Sequence, residues 1–284
     1  MCWKCGATQL GHCSYKDTGE NSAWRSRRLS RQAFLQQQAA AGVANSVIFS
    51  APGVRVEYVV IDWLHTMDLG VCQTICGNAL FEFLEYLEGP TLAAKAGHLW
   101  TLVKEFYRRT RPTARFQHLT VDMIRAPGKG PKLRGKAAET RHLVPFVKEL
   151  ADQYAYKSRH AALVAEVVNH MHTLYAFLDM EPYPAEAAAD ECQLLCDKFL
   201  ALNLEAQHVG RDKHWKMKPK LHLLQELLQF DCIRTKQSPP LFWTYLDESW
   251  GGVVAGMATR RGGSKSAASV ATAVMQRYRA FINK

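Results

Sequence analysis

The amino-acid sequence predicts a mainly α-helical protein, and two observations carry that expectation. From residue 63 onward, apolar residues recur at helical spacing over long windows. Against this, Val54 to Ile61 is the clearest β-branched run that reads as a strand, leaving room for one or two strands in all. The 284 residues are 48% apolar and 22% charged, which suits a chain able to bury a core and argues against disorder.

In chain order, residues 1–38 are rich in Cys, Arg and Gln and show little periodicity. Ala51-Pro52-Gly53 is a turn signal ahead of the strand at 54–61. Leu64, Leu69, Val71, Ile75, Leu80, Leu84 and Leu87 mark a helix over 63–88, stopped by Gly89-Pro90, and a second helix covers 91–110. Residues 125–136 form a basic loop with three Gly and two Pro. Helices follow over 138–157, 159–179, 185–208, 219–230 and 264–282, and Ser238-Pro239-Pro240 opens the last section. There is no internal repeat.

Lys plus Arg number 36 and Asp plus Glu 26, a net charge of +10, which favours polyanions, nucleic acid first and acidic membrane second. The cations cluster. Arg125, Lys129, Lys132, Arg134 and Lys136 form one group, while Lys216, Lys218 and Lys220 form a second, preceded by Arg211 and Lys213. Arg260 and Arg261 form a third. Each reads as a phosphate contact or as a solvated face. Gly130 to Ala137 nearly matches a nucleotide-binding P-loop. However, Ala137 stands where a Mg²⁺-binding hydroxyl is needed, and Pro131 removes a backbone donor. No Gly-x-Ser-x-Gly or His-Glu-x-x-His occurs, and no small-molecule substrate is evident.

No apolar run approaches the roughly 20 residues of a membrane-spanning helix, and the N-terminus lacks a signal-peptide pattern. The expected compartment is therefore reducing, nuclear or cytoplasmic, with the eight cysteines as thiols or metal ligands. Cys2, Cys5, His12 and Cys13 are candidate Zn²⁺ ligands, with the adjacency of His12 and Cys13 leaving the fourth ligand open. The pairs Cys72/Cys76 and Cys192/Cys196 read as core residues on helices.

Three further stretches occur in a fixed order: Cys2-Trp3-Lys4-Cys5 with Trp24-Arg25-Ser26-Arg27-Arg28; Asp62-Trp63-Leu64-His65 leading into Leu69-Gly70-Val71; and Lys220-Leu221-His222-Leu223-Leu224 followed by Trp243-Thr244-Tyr245-Leu246-Asp247-Glu248 and Gly251. This series resembles the second half of CACTA-type (En/Spm-like) transposases and their relatives among large eukaryotic DDE elements. The resemblance covers about residues 1–265.

It implies a truncated RNase H-like core carrying a helical insertion domain. In the intact proteins three carboxylates hold two Mg²⁺ ions for DNA strand cleavage and transfer. Glu248 matches the third carboxylate. Asp62 and His65 match an Asp-x-x-His near the active site, although Asp62 equally suits a helix cap. The first two aspartates belong before the Cys-x-x-Cys, where only Met1 stands, so the expected protein is inactive alone. The implied organisation is 1–53 as a Cys/Arg-rich segment, 54–240 as the helical insertion, and 241–284 as the last catalytic-helix region. The expected function is transposase-derived DNA binding, with a homo-oligomer open. The alternatives are a non-catalytic nucleic-acid-binding or assembly module, and an unrelated helical protein with a small zinc site.

Overall fold

The computed structural model describes residues 2–42, 49, 51, 53–55, 58–259 and 267–282. The chain is 64% helix, and no strand forms among the described residues. It divides into two compact units, Met1–Phe242 and Trp243–Lys284. The first includes both the Cys/Arg-rich segment and the helical region that follows it.

The first unit is built around one helix that is buried on nearly every side. A π-helical stretch, Leu64–Cys72, runs directly into α2 (Gln73–Phe83), after a short α1 (Arg31–Ala40). Ten of the eleven α2 residues are buried, with Ile75, Cys76, Ala79 and Leu80 wholly so. Its polar side chains Gln73, Thr74, Asn78 and Glu82 are buried with hydrogen-bond partners. Wide windings like this one are uncommon and recur at functional places.

The surrounding helices are amphipathic. In α3 (Leu92–Thr110) the buried residues are Ala96, Leu99, Val103, Phe106 and Tyr107, spaced by three, four, three and one. That spacing is a single helical stripe. Thr91 caps the start by accepting the Ala94 N–H. A short turn, α4 (Val121–Ile124), precedes the loop to α5 (Ala137–Tyr154). Next come α6 (Arg159–Phe177), capped by Ser158, and α7 (Ala185–His208). Helices α5, α6 and α7 pack in sequence order, and α5 and α6 also cover α2. Beyond α7, α8 (Pro219–Glu226) opens on proline and continues as a second π-helical stretch, Leu227–Cys232, then α9 (Ile233–Thr235). Helix α8 lies against the first π-helical stretch.

These elements follow the helix periods closely. Cys72, Cys76, Cys192 and Cys196 are all fully buried, as core residues should be. Two expectations fail. Residues 31–40 form α1, although their sequence has little apolar periodicity. The described residues of 54–61 form no strand, because no partner strand is there to receive their backbone. The Ile61 N–H instead donates to Asp231 Oδ2 at 3.2 Å, which satisfies the group a ladder would have used. An RNase H-like sheet is not formed among the described residues.

The second unit holds α10 (Tyr245–Thr259) and α11 (Ala267–Ile282), packed on one another, with Trp250 meeting Tyr278 edge-on at 6.0 Å. No helix is long and apolar enough to cross a membrane among the described residues.

Candidate functional site

Two polar sites stand on the same helix, α8. The first is a basic groove. Its near bank is the loop 125–136, and that loop is not a solvated tether. Leu133 N–H donates to the Gln73 carbonyl at 2.8 Å, and Gln73 Nε2 donates to the Gly135 carbonyl at 2.9 Å. The Lys132 and Arg134 N–H groups return to the Ile124 and Met123 carbonyls. Gly77 of α2 lets the Lys132–Leu133 backbone lie directly on the helix, since a Cβ there would overlap it. Gly130 does the same for the Lys213 carbonyl.

The far bank is the extended run into α8. His214, Trp215 and Met217 are buried and anchor it, while Lys213 and Lys216 remain exposed and Lys218 half-buried. Trp215 N–H donates to Asn78 Oδ1 at 2.9 Å, tying this bank to α2 as well. A cavity of about 740 Å³ between the banks is lined by Lys129, Lys132, Arg134, Lys213, Lys216 and Lys218. A second, of about 440 Å³, shares Lys132, Lys216 and Lys218 and adds Lys220, so the two form one groove. None of the described residues lining either cavity is acidic.

The electrostatics follow. Lys218 is held below the ordinary lysine pKa by desolvation first and then by Lys132, Lys216 and Lys220. Lys132 is lowered by desolvation, and Lys220 by desolvation and Lys132, with Asp62 opposing. Like charges crowded in a groove with no acid among its described lining residues favour an anion. Lys220 also crosses Gly70, and its Nζ donates to the His65 carbonyl at 2.6 Å.

Sequence-predicted cations divide accordingly. Lys129, Lys132, Arg134, Lys216, Lys218 and Lys220 meet in the groove. Arg125 does not line it; its guanidinium lies 4.7 Å from the Phe81 ring centre. Lys136 begins α5, its N–H donating to Glu139 Oε2 at 2.9 Å. Arg260 and Arg261 lie outside the described residues.

The second site is a buried pocket. Cys2, Cys5, His222 and Glu226 place one ligand atom each within 4.8 Å of one another. They are the one group of three or more such side chains close enough to hold a metal ion among the described residues. Cys2 and Cys5 flank a tight turn, closed by Gly6 N–H to the Cys2 carbonyl at 2.8 Å and by Cys2 N–H to the Ala7 carbonyl at 2.6 Å. Gly6 has φ +76°, which glycine adopts without strain. His222 and Glu226 are one helical turn apart on α8, 1% and 0% exposed at the side chain.

The hydrogen bond between the two thiols draws Cys2 down to about 4, against burial and with His222 helping. The same bond, with burial, pushes Cys5 up. Burial raises the Glu226 carboxyl above its usual range. His12 is exposed, and Cys13 accepts from Arg27 at 3.0 Å; neither belongs to the pocket. The chain returns 217 residues later to supply the remaining ligands. The only sequence signal for them was a His and a Glu four apart on a helix.

The carboxylates implied by the resemblance are placed otherwise. Asp62 accepts the Leu64 and His65 N–H groups at 3.2 and 2.9 Å and pairs with His65 Nδ1 at 2.5 Å, the geometry of a helix cap. Glu248 is exposed on the first turn of α10, in the second unit. Asp62 and Glu248 belong to separate units, and no catalytic step is routed through them.

One buried network went unseen in the sequence. Glu82 receives Trp215 Nε1 at 2.9 Å and pairs with His214 at 3.1 Å and His160 at 2.9 Å. Burial pushes the Glu82 carboxyl up, but these three partners outweigh it and hold it low. No known protein family, curated protein or solved structure matches the chain.

Proposed function

We propose that this chain is a nucleic-acid-binding module of transposase descent, which grips the phosphate backbone of DNA in the lysine-lined groove. What supports the reading most is the convergence of two basic segments, about eighty residues apart, on one groove whose described lining contains no acid. Phosphate is the polyanion such a surface suits, and lysine is a point-charge binder of it. The backbone is read without regard to sequence, because lysines on phosphates carry no base information. The motif order shared with CACTA-type transposases points to the same ligand. Catalysis is not part of the proposal.

The test is fluorescence anisotropy of labelled duplex and single-stranded DNA across a salt series. If five or six groove cations contact phosphate, log affinity against log salt should fall with a slope of about −4.5 to −5.4 on duplex DNA, at about −0.9 per contact. Scrambled sequences should bind equally. A flat salt response, or no binding at low salt, would remove the proposal.

A further inference from the structure

We propose that Cys2, Cys5, His222 and Glu226 form a closed, four-coordinate structural Zn²⁺ site that fastens the N-terminal turn to α8. The inference is independent of nucleic-acid binding and stands on geometry.

The spacing fits the ion. With Zn–S near 2.3 Å and Zn–N near 2.0–2.1 Å, tetrahedral angles put a sulfur and a nitrogen ligand about 3.6 Å apart, and a nitrogen and an oxygen about 3.3 Å apart. Cys5 Sγ lies 3.4 Å from His222 Nε2, and His222 Nε2 lies 3.6 Å from Glu226 Oε1. Four ligand atoms from four separate side chains lie within 4.8 Å of one another, a number that fills a tetrahedron and leaves no position for substrate.

The pocket also has unmet polar demand. Glu226 Oε2 is buried without a hydrogen-bond partner. An unpartnered carboxylate oxygen in a dry pocket is costly, and a cation in contact with the carboxylate removes the cost. The ligand set chooses the metal. Two thiolates with an imidazole exclude Mg²⁺ and Ca²⁺, which take oxygen, and suit Zn²⁺. The bound centre carries 2 − 2 − 1, a charge of about −1 for two thiolates, one carboxylate and neutral imidazole. Arg28, 3.2 Å from Glu226 Oε1, offsets it.

The walls are built to keep the site dry and fixed. Trp24, fully buried, meets the His222 ring edge-on at 4.4 Å. Arg28 lies 3.6 Å from the Phe230 ring centre and closes one side. Beside the pocket, Lys4 of the turn pairs with buried Asp231 at 2.5 Å, a second attachment of the same turn to the same helical segment.

The experiment is metal analysis of the full chain purified without chelator and supplied with zinc. About one zinc per chain is expected, retained through dialysis. Cys5→Ala and His222→Ala should lose it, whereas a His12→Ala/Cys13→Ala variant should keep it. If the ligand variants do not fold, cobalt substitution of the unaltered chain decides the matter. Expected are intense tetrahedral visible bands and thiolate-to-cobalt charge transfer, the latter strengthened in Glu226→Cys. A metal content below about a tenth per chain, with weak octahedral cobalt bands, would overturn the proposal. So would zinc that leaves with His12 and Cys13 and stays with His222.

Discussion

The two ends of α8 face opposite electrostatic fates. At its start, Lys218 and Lys220 join Lys132 and Lys216 in a groove with no acid among its described lining residues. At its close, His222 and Glu226 are buried against two cysteines and Arg28. The buried end gathers two thiols, an imidazole and a carboxylate in one pocket, and its removal should be read in stability. The groove gathers cations with no acid in its described lining, and its removal should be read in binding. Mixing those readouts would break the comparison.

The largest effect is expected at the buried end. Cys5→Ser in the zinc-loaded chain should lower stability by about 3–5 kcal/mol, since it opens a metal centre and strands a buried carboxylate. For a unit of this size the melting temperature should fall by about 10 °C, measured by calorimetry. If Cys5→Ser melted with the unaltered chain, the pocket would be ordinary core.

Next is Glu82. Glu82→Ala removes one carboxylate from His160, His214 and Trp215 together, and should cost about 3 kcal/mol in denaturant titration. The pH dependence has a definite sign. His160 is raised from 6.5 to about 9, first by its hydrogen bond to Glu82, with Glu205 at 3.0 Å adding to it. A raised folded pKa means the contribution is complete below pH 6.5 and fades as pH climbs to about 9. Glu82→Gln should flatten stability across that window; an unchanged slope would put the proton elsewhere.

These predictions rest on partners that the sequence shows poorly. The helices, α2 within the expected 63–88 among them, were legible because apolar residues return every three or four positions. Both banks of the groove were visible as charge runs. Their meeting was not, because it depends on a Cβ absent from Gly77 and on the Leu133 to Gln73 hydrogen bond. The pocket of Cys2, Cys5, His222 and Glu226 was half legible. Cys2-x-x-Cys5 announces a ligand pair, but proximity in sequence favours His12 and Cys13 over residues 217 positions on. Periodicity cannot report a contact that the fold alone creates, and neither could the β-branched run at 54–61 report that no strand forms among the described residues.

A smaller effect should separate shape from charge. Gly77→Ala adds a methyl where the Lys132–Leu133 backbone lies on α2, at a cost of about 1–3 kcal/mol. Because it also shifts one bank, DNA affinity should drop with no charge removed. Unchanged stability and unchanged affinity would mean that the loop is not held there.

The central claim concerns place as well as charge, and a charge-matched comparison reaches it directly. Lys132→Ala/Lys216→Ala/Lys218→Ala removes three groove cations. Lys104→Ala/Arg108→Ala/Lys157→Ala removes three exposed cations elsewhere in the same unit. Duplex DNA binding is measured over a salt series for both. The groove variant should lose about 2.7 from the salt slope, at about 0.9 per contact, while the control keeps the slope of the unaltered chain. Equal losses in the two variants would mean that net charge, and not the groove, attracts DNA.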